Sequence, residues 1–199
     1  MSARVALLLA LALPLLLAAP HAYARSVEEK PAGPTVAERT AHNQRLRALV
    51  GKPAVEPISV QHLHTHEWTV IDPAKGATLP QDTLDELLRC HQTNQRTRID
   101  ARLVTAIVAA ALEFNKRRVL VVSGFRAPKF NLALRKKGRE VARDSQHTHG
   151  TAVDFKLPGV APKRLLAYVR RLRLGGVGFY PESGFVHCDT GPIRSWTGR

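Results

Sequence analysis

Two hydrophobic periodicities, one near 3.6 and one of 2, divide this chain between helices and strands. Ile58 to Ile71 alternates apolar and polar positions, which predicts strand and sets His62, His64 and His66 on one face. That row is either a metal-binding face or an edge strand with half-buried imidazoles. Asp72 to Gly76 reads as a turn, and Pro80 to Cys90 as a helix with Leu84, Leu87 and Leu88 inward. Asp100 suits the N-cap of a longer helix, Ala101 to Lys116, whose stripe is Leu103, Ile107, Ala110, Ala111 and Phe114. Val119 to Val122 is a short apolar run, read as a buried strand, and it enters Ser123-Gly124-Phe125-Arg126-Ala127-Pro128. Lys129 to Lys137 predicts a short helix closed by Gly138.

Alternation returns at Ala152 to Leu157, where Val153, Phe155 and Leu157 share one face and Asp154 stands on the other. Pro158-Gly159 turns the chain. Pro162 opens a helix to Leu172 with Leu165, Leu166 and Val169 inward. Gly175 to Tyr180 is a glycine-dense strand without the spacing or following helix of a dinucleotide cradle. Pro181 to Gly184 turns into Phe185–Asp189, whose polar face carries His187 and Asp189. Short turns between the last strands favour antiparallel pairing. The expected fold is α+β, a small antiparallel or mixed sheet flanked by helices, and no repeat is present.

The first residues follow another logic. Arg4 precedes an Ala/Leu-rich run from Val5 to Ala19, and Ala22-Tyr23-Ala24 fits a small-x-small cleavage site. Residues 1–24 therefore read as a secretory signal peptide, with no stable membrane span after cleavage and a periplasmic destination. Residues 25–57, with prolines at 31, 34, 53 and 57, read as a flexible linker, in which Thr40 to Val50 could form a short helix. The domain proper is expected over 58–199. The formal charge of +14 would suggest nucleic acid in a cytosolic protein. Export and the lack of an aromatic-plus-basic motif argue against that, and favour an anionic wall polymer or a generally solvated basic surface. Cys90 and Cys188 could bridge in an oxidising compartment, but Cys188 falls on the apolar side of its strand with Val186 and suits a small core residue.

The chemistry concentrates between Ser145 and Asp154. His147 and Asp154 lie seven residues apart with Gly150 between them, and the second strand offers His187. Two strands that present such ligands away from their apolar sides can close a His/Asp/His site with one open position, the ligand count of catalytic zinc. The bland alternative is a set of buried, hydrogen-bonded polar residues without a metal. His66-Glu67 lacks the second histidine of the helical zincin motif.

Ser145-x-His-x-x-Gly-x-Ala-x-Asp154 resembles the zinc motif of the D-Ala-D-Ala carboxypeptidase and hedgehog-like metallopeptidases. Ser123-Gly-Phe-Arg-Ala-Pro-x-x-Asn131, Gly175-Gly-Val-Gly-Phe-Tyr-Pro181 and Gly184-Phe-Val-His-x-Asp-Thr-Gly191 narrow it to the YcbK-like murein endopeptidases. The resemblance spans roughly His62 to Trp196, more loosely at the start. It implies an exported enzyme that cuts peptide cross-links of peptidoglycan, with one zinc ion held by His147, Asp154 and His187. It further implies that Arg126 holds a substrate carboxylate or a developing oxyanion, against a structural ion pair. Ser145, His149 and Tyr180 are then positions that touch substrate or orient a ligand, although Ser145 equally suits a turn and His149 a solvated loop. The carboxypeptidase branch carries an acid three residues before its last histidine, where this chain has Gly184. Asp189 is the alternative, either as general base or as hydrogen-bond partner of His187. Two other functions stay open: a DD-carboxypeptidase acting on stem peptides, and a non-catalytic wall-binding module with a vestigial zinc site.

Overall fold

The structure, a computed structural model, describes residues 56–138 and 141–198 together with four isolated upstream positions. The leader and nearly all of the linker lie outside the described residues. Seven strands form one mixed sheet: β1 (Ile58–His62), β2 (Trp68–Ile71), β3 (Arg118–Ser123), β4 (Ala152–Lys156), β5 (Gly176–Tyr180), β6 (Phe185–Asp189) and β7 (Arg194–Thr197). Across the sheet the order is β2-β1-β3-β4-β6-β5-β7. The β1–β3 and β5–β7 pairs are parallel and the other neighbours antiparallel. Among residues 56–198 the α-helices are α1 (Gln81–Leu87), α2 (Arg102–Glu113), α3 (Pro128–Lys136) and α4 (Pro162–Leu172).

One face of the sheet makes the core. Val60, Val121, Phe155, Val177 and Val186 point to the same side, where Leu103 and Ile107 of α2 and Leu165 and Val169 of α4 cover them. Period-2 alternation forces Asp154 and His187 onto the opposite face, between those apolar neighbours. Leu103, Ile107, Ala110 and Ala111 of the α2 stripe are buried, and Phe114 is half-buried just past its end. The N-cap position is Ala101, with Asp100 one residue ahead accepting from Arg102 N on Oδ1 at 3.0 Å. Cys90 and Cys188 are buried and unbridged, with Cys188 in the core beside Val186.

Two expectations are corrected. Ile58 to Ile71 is not one strand: the chain turns back at 63–67, so His62 ends β1 on its core face while His64 and His66 sit in the turn. His66 takes φ 61°, outside any strand conformation. The sequence pattern also missed β7, four residues too short and too exposed to show a period. The parallel β1–β3 and β5–β7 pairs make the sheet mixed rather than purely antiparallel.

Phe155 is the largest fully buried side chain, and it backs the strand that carries Asp154. Phe155→Ala is expected to cost about 3–5 kcal/mol in denaturant unfolding. A loss under about 1 kcal/mol would contradict the packing described.

Candidate metal centre

Register brings the first two site residues together. Asp154 of β4 lies directly opposite His187 of β6 in the antiparallel ladder. A one-residue slip would set Val153 or Phe155 there instead. The third residue, His147, comes from a single 3-10 turn, Gln146–His149, that leads into β4. Gly150 ends this turn in the left-handed region at φ 69°, and a Cβ there would stand 2.5 Å from the Arg98 carbonyl oxygen. Both the backbone conformation and the close approach call for glycine.

His147 Nε2 lies 3.2 Å from Asp154 Oδ1 and 3.1 Å from His187 Nδ1, and His187 Nδ1 lies 2.8 Å from Asp154 Oδ1. All three residues are buried. The outward nitrogens are taken. His147 Nδ1 donates to the Gly124 carbonyl at 2.6 Å, and His187 Nε2 donates to Asp189 Oδ2 at 3.0 Å. With protons on those outer nitrogens, three lone pairs face one another. Only a proton or a cation reconciles such a convergence. Ligands about 2.0–2.1 Å from a tetrahedral zinc ion stand about 3.3 Å apart, so the cluster comes within about half an ångström of that geometry. Among the described residues this is the only group of three His, Cys, Asp or Glu side chains whose ligand atoms lie close enough together to hold one metal ion.

The protonation tendencies follow from the same contacts. Burial alone would raise the Asp154 pKa, but the imidazoles of His147 and His187 outweigh it and hold the carboxylate well below its usual range. Burial dominates at His147 and lowers its pKa despite Asp154. At His187 burial also pulls downward, yet Asp154 and Asp189 on its two nitrogens leave the net shift upward.

Asp189 is fully buried and does not line the cleft that opens over the cluster. Besides His187, it accepts from Gly176 N at 2.8 Å and Gly191 N at 2.9 Å, and Arg194 Nη2 pairs with it at 2.7 Å. These partners occupy its oxygens on the far side of the His187 ring from the ligand atoms. Of the two positions the sequence allowed, general base or hydrogen-bond partner of His187, Asp189 stands at the second, behind the imidazole.

The cleft has a volume of about 660 Å³, and Arg126, Ser145 and Tyr180 line it with the ligands. Arg126 follows a register irregularity at the end of β3, and its backbone N–H donates to His147 O at 3.0 Å. Its Nη1 donates to Asn131 Oδ1 at 3.3 Å, whereas its buried Nε has no partner. Among the described residues it makes no ion pair with a carboxylate. Ser145 works through its carbonyl, which accepts from Thr148 N at 2.8 Å and Thr148 Oγ1 at 2.7 Å. His149 is exposed, outside the cluster, and bonds to Asp144 Oδ1 at 2.7 Å. Asp144 itself lines the cleft, and nothing in its surroundings in the sequence had marked it. The Tyr180 ring stacks on Phe185 with centroids 4.5 Å apart, and its hydroxyl accepts from Trp196 Nε1 at 3.2 Å.

A sheet face that presents two imidazoles and a carboxylate over an open cleft has the donor set of a catalytic metal site. The chain belongs to the family described as peptidoglycan L,D-endopeptidase MepK, whose model matches residues 52–196. It is 34% identical over 153 residues to the peptidoglycan L,D-endopeptidase MepK of Escherichia coli K12, covering 75% of this chain and 84% of that protein. A probable peptidoglycan L,D-endopeptidase MepK of Haemophilus influenzae is 38% identical over 117 residues, 58% of this chain and 63% of that protein. No solved structure matches the chain at a significant level.

Without metal, Asp189 is held down to about 2 by its partners against the effect of burial. An unfolded aspartate titrates near 3.9, so its contribution to stability is complete above about pH 4 and is lost as pH falls through about 2. Asp154 adds to the same acid limb. Asp189→Asn should flatten the melting temperature of the metal-free protein between about pH 4 and pH 2. An unchanged slope would contradict the pairing.

Proposed function

We propose that this protein is an exported, zinc-dependent peptidoglycan hydrolase that cuts peptide cross-links. The single observation behind this is the convergence of His147, Asp154 and His187 in a chain of the MepK family. Two nitrogens and one oxygen suit a borderline divalent ion such as zinc. When bound, zinc supplies Lewis acidity toward a scissile carbonyl and activates water near neutral pH. The relatives' names point to an L,D bond as the one cut.

The protein's own groups have separate tasks. Asp189 and the Gly124 carbonyl fix the ring orientations and tautomers of the two histidines. Arg126, with its buried Nε unpartnered, is the cation for a substrate carboxylate or for negative charge that develops on the carbonyl oxygen. Asp144 is the one carboxylate besides the ligand Asp154 that lines the cleft among the described residues. We assign it the proton from the attacking water, with His149 holding its carboxylate. The charge of +14 favours residence on an anionic polymer. Export rests on the leader pattern of residues 1–24, and no helix among the described residues is long and apolar enough to cross a membrane.

Purified protein should release peptide fragments from sacculi, and His187→Ala should abolish the release. Zinc retention without any release would favour a wall-binding module. Free D-alanine as the only product would favour a DD-carboxypeptidase.

The two acids should fail differently. Asp144→Asn should lower kcat by about 10²–10⁴-fold with zinc affinity unchanged, while Asp189→Asn should weaken zinc affinity by about 10–100-fold. Full activity in Asp144→Asn would remove it from the mechanism.

A further inference from the structure

His187 is held on one more side. Strand β7 pairs in parallel with β5, so that Gly176 stands beside Arg194 and Gly178 beside Trp196. On its other side Gly178 is paired with His187 of β6. The two glycines thus form a trough, one strand wide, between β6 and β7. Both β7 side chains cross it. Trp196 reaches the His187 imidazole, with ring centroids 5.0 Å apart and planes inclined at 53°. Arg194 reaches Asp189, with Nη2 2.7 Å from Oδ2 and Nη1 3.3 Å from Oδ1.

The trough has no room for a side chain of its own. A Cβ on Gly178 would stand 2.6 Å from the Trp196 ring. One on Gly176 would meet the Arg194 guanidinium and stand 2.5 Å from Asp189 Oδ2. The two crossing residues also hold each other: the Arg194 guanidinium lies over the Trp196 ring, 5.0 Å from its centroid, and Trp196 Nε1 donates to the Tyr180 hydroxyl at 3.2 Å. His187 therefore has Asp189 on Nε2 and an indole against its ring, while Nδ1 alone faces the ligand cluster.

We infer that Arg194 and Trp196 are positioning residues for the metal ligand His187, a clamp built by the last strand across the Gly176/Gly178 trough. The inference rests on the metal function proposed above, but its geometric part stands in the metal-free protein. Arg194 keeps the Asp189 carboxylate aimed at Nε2, and that fixes the tautomer whose Nδ1 lone pair is offered to the ion. Trp196 blocks rotation of the ring about its Cβ–Cγ bond. Neither residue is required to touch the reacting atoms.

The test compares wild type with Trp196→Ala, Arg194→Ala, Gly178→Ala and the conservative Trp196→Phe. Two measurements are made on each: zinc affinity by competition with a chelating dye, and the His187 tautomer in metal-free protein by long-range ¹H–¹⁵N NMR. Circular dichroism confirms folding. At a pH high enough to leave the ring neutral, wild type should show a single Nε2–H tautomer. The two side-chain truncations should weaken zinc affinity by about 10–100-fold, the range for residues that orient a ligand, and mix the tautomers, with Trp196→Phe recovering most of the loss. Gly178→Ala, which displaces the indole, should act like Trp196→Ala and add nothing to it in the double variant. Zinc affinity within twofold of wild type and an unchanged tautomer in folded variants would overturn the clamp. Should Trp196→Ala fail to fold, Gly178→Ala and Trp196→Phe decide the question by the same criteria. If wild type binds no zinc, the proposed function falls, and the NMR comparison still decides the clamp.

Discussion

Three lone pairs aimed at one another are the constraint on which this molecule depends. Acceptors within about 3 Å repel unless a positive charge sits among them, and burial removes the water that would soften the repulsion. Here the convergence is enforced from outside, because Gly124 O and Asp189 occupy the outer nitrogens of His147 and His187. The imidazoles cannot exchange roles by moving a proton inward without losing those bonds. A cation is thereby the natural partner of the cluster, and the surrounding groups serve to hold the donors still.

The fold achieves this by a division between two faces of one sheet. The apolar face under α2 and α4 sets the register of β4 and β6, and the register places Asp154 against His187 on the other side. Packing energy on one face therefore sets ligand geometry on the other. The open face remains available for a cleft, and the irregularity at the end of β3 brings the Gly124 carbonyl and Arg126 to its edge.

Much of this was legible in the chain because it depends on period. The alternation around Asp154 and His187 predicts both strands and their polar sides, and the α2 stripe and the Pro162 helix are found as expected. The three ligands are readable as residue types at spacings that strands can bring together. What escaped depends on tertiary neighbours. The sequence left Asp189 with two positions, and which side of the imidazole it occupies is something a face assignment does not reveal. The His62, His64 and His66 row looked like alternation, but a turn broke it. Strand β7 carries no hydrophobic period, and its signal lay instead in Gly176 and Gly178, whose missing side chains make sense only once Arg194 and Trp196 lie across them. Asp144 becomes visible only from the cleft it lines.

The site brings together two oriented imidazoles, one carboxylate held below its usual pKa range, and a guanidinium donor without a partner at the cleft wall. Anomalous diffraction at the zinc edge from crystals grown with zinc tests the central claim most directly. The account predicts one strong peak about 2.0–2.1 Å from His147 Nε2, Asp154 Oδ1 and His187 Nδ1 together. Zinc bound elsewhere on the protein, with no peak among those three atoms, would contradict it.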